Sequence, residues 1–394
     1  MKPVESLYFG PLSPARFARL PGVPGPRPRA GGAMGRVLVL RLDEIGDLVL
    51  TGPLLEALRG ALPLARVTLL VKPACLALAQ ACPFVDEALA FDPASAAPLG
   101  LLKLRLRMRA FARAKLAPRG FDLALVPRFE ADAGLSALMA WMSGAPRRMG
   151  YAAGARAAAP RLQELTDPLF TDLLTAPPTL HAVEHGLGLA RALGFSPGQP
   201  RLRSWAREED RQWARAQLGR FQGRKVLALA PGAGQARKLW PLQRYAEAAR
   251  RLAARGGLAF VVLGSAADQA AGQALAQALP GACLSLCGQA SLPQSQAVLE
   301  LCSLYLGNDT GPMHMAAAAG VPVVAPFCHP ANGSAASIYA PSRYGPWGAP
   351  CRVLQPATAA PPCQQECLQP GPHCILGVGA DAVADAAAAL LASS

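Results

Sequence analysis

Four stretches of this chain gather side chains that can do chemistry. In Arg41-Leu42-Asp43-Glu44-Ile45-Gly46-Asp47, an arginine is followed closely by three carboxylates. Gly46 lets the backbone bend, and Asp47 then stands near the start of a helix. A carboxylate placed there can take a proton from an incoming hydroxyl. Asp is also favoured at that point purely as a cap, and Asp43 and Glu44 are rival bases by the same logic. In the second stretch, Pro231 to Pro241, Gly232, Ala233 and Gly234 leave the backbone free to approach a ligand, while Arg237 and Lys238 add positive charge. Loop N–H groups with an ammonium suit a diphosphate; the plainer reading is a glycine turn beside two solvated cations. The stretch lacks the Gly-Lys-Ser/Thr ending of a P-loop.

The third stretch is Gly307-Asn308-Asp309-Thr310-Gly311-Pro312-Met313-His314. Asp309 and Thr310 offer a cap, and Gly311-Pro312 open a helix whose free N–H groups would point at an anion. His314 sits in the first turn, where it suits a phosphate or a sugar hydroxyl; a well-capped structural helix with one satisfied histidine is the alternative. The fourth is Cys363-Gln-Gln-Glu-Cys367, followed by His373-Cys374. Three thiolates and an imidazole form a zinc donor set. The adjacency of His373 and Cys374 makes joint ligation of one ion awkward, so a structural role is favoured over a metal or a redox-labile disulfide.

Such groups need strand ends to hold them. Arg36 to Leu42 is a continuous apolar run of the kind buried on both faces, and Arg66 to Val71, Glu87 to Phe91 and Asp122 to Val126 read as further strands. An apolar helix follows Asp47 as far as about Arg59, and another lies near Leu135 to Ser143. The stretch GFSPGQP, residues 194–200, reads as a linker. A second alternation follows: strands at Val226 to Ala230, Leu258 to Leu263, Cys283 to Leu286, Leu304 to Gly307 and Val321 to Phe327, with helices between them and a last helix over Ala380 to Ala392. Two α/β halves predict ligand sites at the carboxyl ends of their strands, and the first three motifs fall there.

Composition narrows the partners. With 52% hydrophobic and 16% charged residues the chain can bury cores, and 394 residues suit two domains. A net charge of +14 suits an anionic partner, yet only 6% of residues are aromatic and no strand carries the stacking surface of a nucleic-acid module. Membrane surface or anionic glycan is the better guess. Lys103, Arg105, Arg107, Arg109, Arg113, Lys115 and Arg119 carry no acid among them; this segment, 103–119, is either a peripheral contact for anionic lipid or phosphorylated glycan, or a solvated helix face. No apolar run reaches transmembrane or signal-peptide length, so a cytoplasmic protein with reduced cysteines is expected. Residues 1–34 are expected to be a disordered extension, with Met34 favoured over Met1 as the start.

Together RLDEIGDLVLTGPLLEALR, APGAGQARKLWPLQRYAEAARRL and GNDTGPMHMAAAAGVPVVAPF resemble glycosyltransferase family 9, the family of ADP-heptose:lipopolysaccharide heptosyltransferases. The resemblance implies an α/β GT-B fold, two Rossmann-like doubly wound domains facing a central cleft. Residues 35–198 would bind the acceptor and 199–394 the nucleotide-sugar. It implies an inverting, metal-independent transfer of a heptose or related sugar from an ADP-sugar to a lipopolysaccharide core or similar lipid-linked or phosphorylated glycan, with no cofactor and no catalytic metal. Asp47 matches the general base, and Lys238 the lysine on the donor phosphates. Gly232, Ala233, Gly234, Asp309, Thr310, Gly311 and His314 would line the diphosphate, and Arg41 would help hold the acceptor. The Pro-Met before His314 departs from the family's pattern, which bears on donor sugar and acceptor. Rival readings are another GT-B enzyme such as a nucleotide-sugar 2-epimerase, or a non-catalytic protein binding anionic glycan or lipid.

Overall fold

The computed structural model describes residues 34–93, 100–130, 135–152, 166–279 and 281–393. Nearly all of the expected amino-terminal extension lies outside that set. The chain divides into two compact units, Met1–Pro200 and Arg201–Ser394.

The first unit is built on strands β1 (Arg36–Arg41), β2 (Arg66–Val71), β3 (Glu87–Ala90), β4 (Leu123–Leu125), β5 (Arg147–Tyr151) and β6 (Asp172–Leu174). All pairings are parallel, and the spatial order is β3-β2-β1-β4-β5-β6. β1 is bonded on both edges, and Val37, Leu38, Val39 and Leu40 are fully buried; a strand covered on both faces has no polar face to alternate with. The single helix expected after Asp47 is two, α1 (Ile45–Leu50) and α2 (Gly52–Ala61). Pro53 stands in the first turn of α2, where its missing N–H is harmless.

Helix α3 (Gly100–Phe111) runs on through a wider π turn, Ala112–Leu116. Leu104, Met108, Ala112 and Leu116, spaced four apart, are buried in the core of this unit. Lys103, Arg109, Arg113 and Lys115 are exposed. The apolar stripe of the basic segment is therefore spent on its own unit's core, and the outer face carries these cations together with one exposed leucine, Leu106. Helix α4 (Ala182–Ala192) is capped by His181, whose Nδ1 accepts the Val183 N–H at 3.2 Å, and it packs against α2.

The second unit repeats the plan with β7 (Lys225–Ala230), β8 (Leu258–Val262), β9 (Cys283–Ser285), β10 (Leu304–Gly307), β11 (Val323–Pro326) and β12 (Cys351–Leu354) in the order β12-β11-β10-β7-β8-β9, again all parallel. Helices α5 (Leu242–Ala253) and α7 (Ala380–Ala392) pack on each other over one face of this sheet, and α6 (Gly311–Ala318) follows β10. Counted from the first strand of each unit, both sheets read 3-2-1-4-5-6, the doubly wound Rossmann order. Its switch point, where ligands bind at strand carboxyl ends, lies between the first and fourth strands. Those are β1 and β4 in one unit and β7 and β10 in the other.

The orientation of α3 is testable by paired substitutions. Met108→Ala should cost about 2–5 kcal/mol, the range for truncating a buried side chain. Arg109→Ala, one residue away on the outer face, should stay within about 0.5 kcal/mol. Urea unfolding of both variants checks this, and equal effects would contradict the assigned face.

Candidate functional site

In the first unit the switch point is occupied by a charge cluster. Arg41 closes β1 with only 5% of its surface exposed. Its guanidinium reaches Asp43 at 3.3 Å and Asp47 at 3.0 Å, and its Nε donates to the Asp47 carbonyl at 3.2 Å. Arg128, just past β4, pairs with the other oxygen of Asp43. Asp47 is the third residue of α1, and its carboxylate also accepts the Glu44 N–H at 3.3 Å. Capping and charge pairing thus coexist in one side chain.

Exposure separates the three rival bases. The Asp43 side chain is 3% exposed and shut between two guanidiniums; that of Glu44 is 81% exposed and held by Lys72 at 2.5 Å. Asp47, 25% exposed and fixed by Arg41, is the carboxylate that is both anchored and reachable. Arg41 itself, expected to hold the acceptor, has its guanidinium engaged by Asp43 and Asp47; its place is that of a residue that positions Asp47.

In the second unit, the loop after β7 and the loop after β10 meet. The Lys238 ammonium lies 2.7 Å from the Asp309 carboxylate, with the two side chains 18% and 6% exposed. Burial alone would lower the Lys238 pKa, but the charge and hydrogen bond of Asp309 outweigh it and the net direction is up. The lysine therefore stays cationic at neutral pH. Asp309, expected to line the diphosphate, is a buried anion paired with this lysine and holds its ammonium in place. Both Lys238 and Arg237 lie over the Tyr339 ring at 5.4 Å, and Tyr339 donates its hydroxyl hydrogen to Gln235 at 3.0 Å.

Fully buried Asn308 joins the two loops. Its Oδ1 accepts from the Trp240 N–H at 3.1 Å and the Tyr245 hydroxyl at 2.9 Å; its Nδ2 donates to the carbonyls of Pro231 and Gly232 at 2.8 and 3.2 Å. Trp240 is in turn held through its indole N–H by the Val378 carbonyl at 2.9 Å. A Cβ at Gly232 would lie 2.3 Å from an Asp268 carboxylate oxygen, whereas one at Gly234 would meet nothing within 4 Å. A side chain at Gly232 would thus have to displace the Asp268 carboxylate, while Gly234 faces open space. Ala233 is half-buried between them. Thr310 precedes α6 in an extended conformation, but its side chain makes no cap bond; its hydroxyl donates to the Asn308 carbonyl at 3.3 Å. The expected side-chain cap is absent; at the amino end of α6 Pro312 has no N–H to offer and the Met313 N–H turns back to the Thr310 carbonyl at 3.1 Å. His314 is buried in the first turn.

The cysteine cluster departs from expectation. The backbone at His373, with φ −142° and ψ −86°, turns the ring back. Its Nδ1 then lies 3.5 Å from Cys374 Sγ and 3.7 Å from Cys363 Sγ. Sequence adjacency does not keep His373 and Cys374 from converging. A cavity of about 280 Å³ opens at the other end of the first sheet, beside Arg36, Arg66 and the Arg119–Glu87 pair; it contains none of the motif residues.

Three contributors were not singled out from sequence. Asn308 stood inside a recognised motif, and its place directly after a strand was the available signal. Arg128 follows a strand too, but β4 is short. Tyr339 lies in a segment with no pattern to mark it.

Known proteins resemble this chain over most of its length. The profile of Glycosyltransferase family 9 (heptosyltransferase) matches residues 108–366. Lipopolysaccharide heptosyltransferase 2 of Escherichia coli (strain K12) is 28% identical over 308 residues, spanning 74% of this chain and 82% of that one. A solved family 9 glycosyl transferase from Veillonella parvula DSM 2008 superposes with a TM-score of 0.74 at 22% identity, covering 92% of this chain and 98% of the other. The structure of E. coli ADP-heptose lps heptosyltransferase II gives a TM-score of 0.65 at 24% identity, with 91% and 99% covered. The fold is GT-B, with two Rossmann-like α/β domains.

Asn308→Ala should strand the Tyr245 hydroxyl and the Trp240 N–H in the core. Leaving buried groups unsatisfied costs about 1–3 kcal/mol each. A clear drop in thermal midpoint, accompanied by weaker nucleotide binding in calorimetry, is the expected outcome; an unchanged midpoint would contradict the bridging role.

Proposed function

Since this chain belongs to glycosyltransferase family 9, we propose that it is an inverting, metal-independent transferase that moves a heptose or related sugar from an ADP-sugar to a lipopolysaccharide core or similar phosphorylated glycan. The observation that carries the reading is the buried Lys238–Asp309 pair at the switch point of the second sheet. A fixed ammonium, a glycine loop and the start of α6 meet there, an arrangement that suits a departing diphosphate. The two E. coli proteins named above are a lipopolysaccharide heptosyltransferase and an ADP-heptose lps heptosyltransferase, which supports the same donor and acceptor classes here.

Inversion proceeds by one in-line displacement at the anomeric carbon. Asp47 takes the proton of the acceptor hydroxyl as its oxygen attacks, and Arg41 holds the carboxylate in place. The bond to the diphosphate breaks with its electron pair, and the growing negative charge meets Lys238 and the loop N–H groups. Preorganised donors act without reorganising as charge develops, which is the role a metal ion plays in other transferases. No helix among the described residues is long and apolar enough to cross a membrane. With all ten cysteines free, a cytoplasmic setting, where the sugar nucleotide is available, fits the reading. The outward cations of α3 suit the phosphates of the acceptor or of the lipid around it.

A thermal-shift screen of ADP-, GDP- and UDP-sugars tests the donor: only the ADP-sugar should raise the midpoint strongly, and a preference for another base would overturn that part. Asp47→Asn should cut turnover by about 10²–10⁴-fold, the worth of a general base, with nucleotide affinity unchanged, since the amide oxygen still caps α1. Full turnover would remove Asp47 as the base. Lys238→Ala should lose about 2–4 kcal/mol of transition-state stabilisation, read as a fall in kcat/KM for transfer.

A further inference from the structure

We propose that Cys363, Cys367, His373 and Cys374 bind one zinc ion in a closed structural site. Their ligand atoms all lie within 4.8 Å of one another. A tetrahedral zinc with bonds of about 2.3 Å to sulfur and 2.0–2.1 Å to nitrogen has sulfur–nitrogen edges of about 3.6 Å and sulfur–sulfur edges of about 3.8 Å. The two sulfur–nitrogen separations, 3.5 and 3.7 Å, bracket that edge. Three thiolates and one imidazole leave no position for water or substrate, the mark of a structural rather than a catalytic zinc.

The surroundings fit the same occupant. The three sulfurs belong to buried residues of the core under β7, β8, β10 and β11, and His373 closes the cluster from the half-exposed side. The Leu368 N–H donates to Cys363 Sγ at 3.4 Å, an outer-shell bond of the type that steadies a metal-bound thiolate. From the end of β12 to the short turn Cys374–Gly377, the chain forms no helix or strand. In this long irregular stretch only Pro356, Cys363 and Cys367 are buried, so a cross-link at the cysteines would supply an anchorage that its own backbone does not provide.

The site would also brace the neighbouring anion site. The Cys367 carbonyl accepts from the Arg237 guanidinium at 2.8 Å, Glu366 accepts the Ser337 hydroxyl at 2.7 Å, and the Gln365 carbonyl accepts the Ser334 N–H at 3.1 Å. A pinned 363–374 loop therefore holds Arg237, the neighbour of Lys238, and the segment leading to Tyr339. The ion takes no part in sugar transfer, so the proposal stands apart from the donor assignment.

The test is made on the full-length protein purified under reducing conditions without added metal. Elemental analysis should find one zinc per chain. Exchange with Co2+ should give the intense visible absorption of tetrahedral cobalt with thiolate charge-transfer bands. A strong chelator should lower the thermal midpoint, and added Zn2+ should restore it. Cys363→Ser with Cys374→Ser should abolish cobalt binding; should that variant fail to fold, His373→Ala, at the half-exposed edge, should still fold and release zinc to a weaker chelator. Protein that carries no metal and takes up neither ion would overturn the proposal. So would a Cys363–Cys374 disulfide in non-reducing mass spectrometry, stoichiometric iron in place of zinc, or a midpoint indifferent to chelation.

Discussion

The second unit depends on one buried carboxamide. A parallel sheet brings strand ends together but does nothing to fix the loops that leave them. Asn308 uses both ends of its amide to join the loop after β7 to the start of α5. Because the surroundings are dry, each of these bonds is worth more than it would be in water, and each would be costly to leave unmade. Burial also pushes the Tyr245 phenol well up, so it remains a neutral donor to that amide. The ion pair one residue further on inherits this rigidity: Asp309 follows Asn308 in sequence and meets Lys238 from the opposite loop.

The first unit solves the same positioning problem with charge. Arg41 ends a fully buried strand and is drawn in by Asp43 and Asp47. A guanidinium offers several donors in a rigid fork, so one side chain can serve both carboxylates and a main-chain carbonyl. The result sorts three nearby acids into a buried anchor, an exposed surface group and one held at the edge of solvent. In this unit, as in the other, the charged groups sit at the crossing point of the strand order, where two neighbouring loops turn apart.

Much of this was legible in the sequence, because strands covered on both faces leave unbroken apolar runs. Arg66–Val71 and Leu304–Gly307 formed with the bounds read for them. β5 was missed: it starts with two arginines and contains a glycine, so it has no run to detect. β6 and β12 are short edge strands, half exposed along most of their length, and an edge needs less burial than a centre. The glycine loop and the strand-end motif of the second unit read in sequence as suited to an anion, and Asp47 as a base or a cap; the structure adds that the two motifs meet through Lys238, Asp309 and Asn308. Sequence did not show that it is paired to Arg41, nor that Asp309 serves Lys238. Those are long-range or side-chain facts fixed by packing. His373 and Cys374 converge despite their adjacency, because adjacency along a chain says little about ring direction once the backbone leaves the common dihedral regions.

The burial of the α3 stripe has a consequence for how this molecule meets charged surfaces. With Leu104, Met108, Ala112 and Leu116 enclosed, nothing apolar on that stripe remains to sink among acyl chains. What is left is the single exposed Leu106 and a set of cations, Lys103, Arg109, Arg113 and Lys115, whose reach at physiological salt is about 8 Å. Any attraction between such a face and an anionic layer would be electrostatic in the main, and it would fade as ionic strength rises.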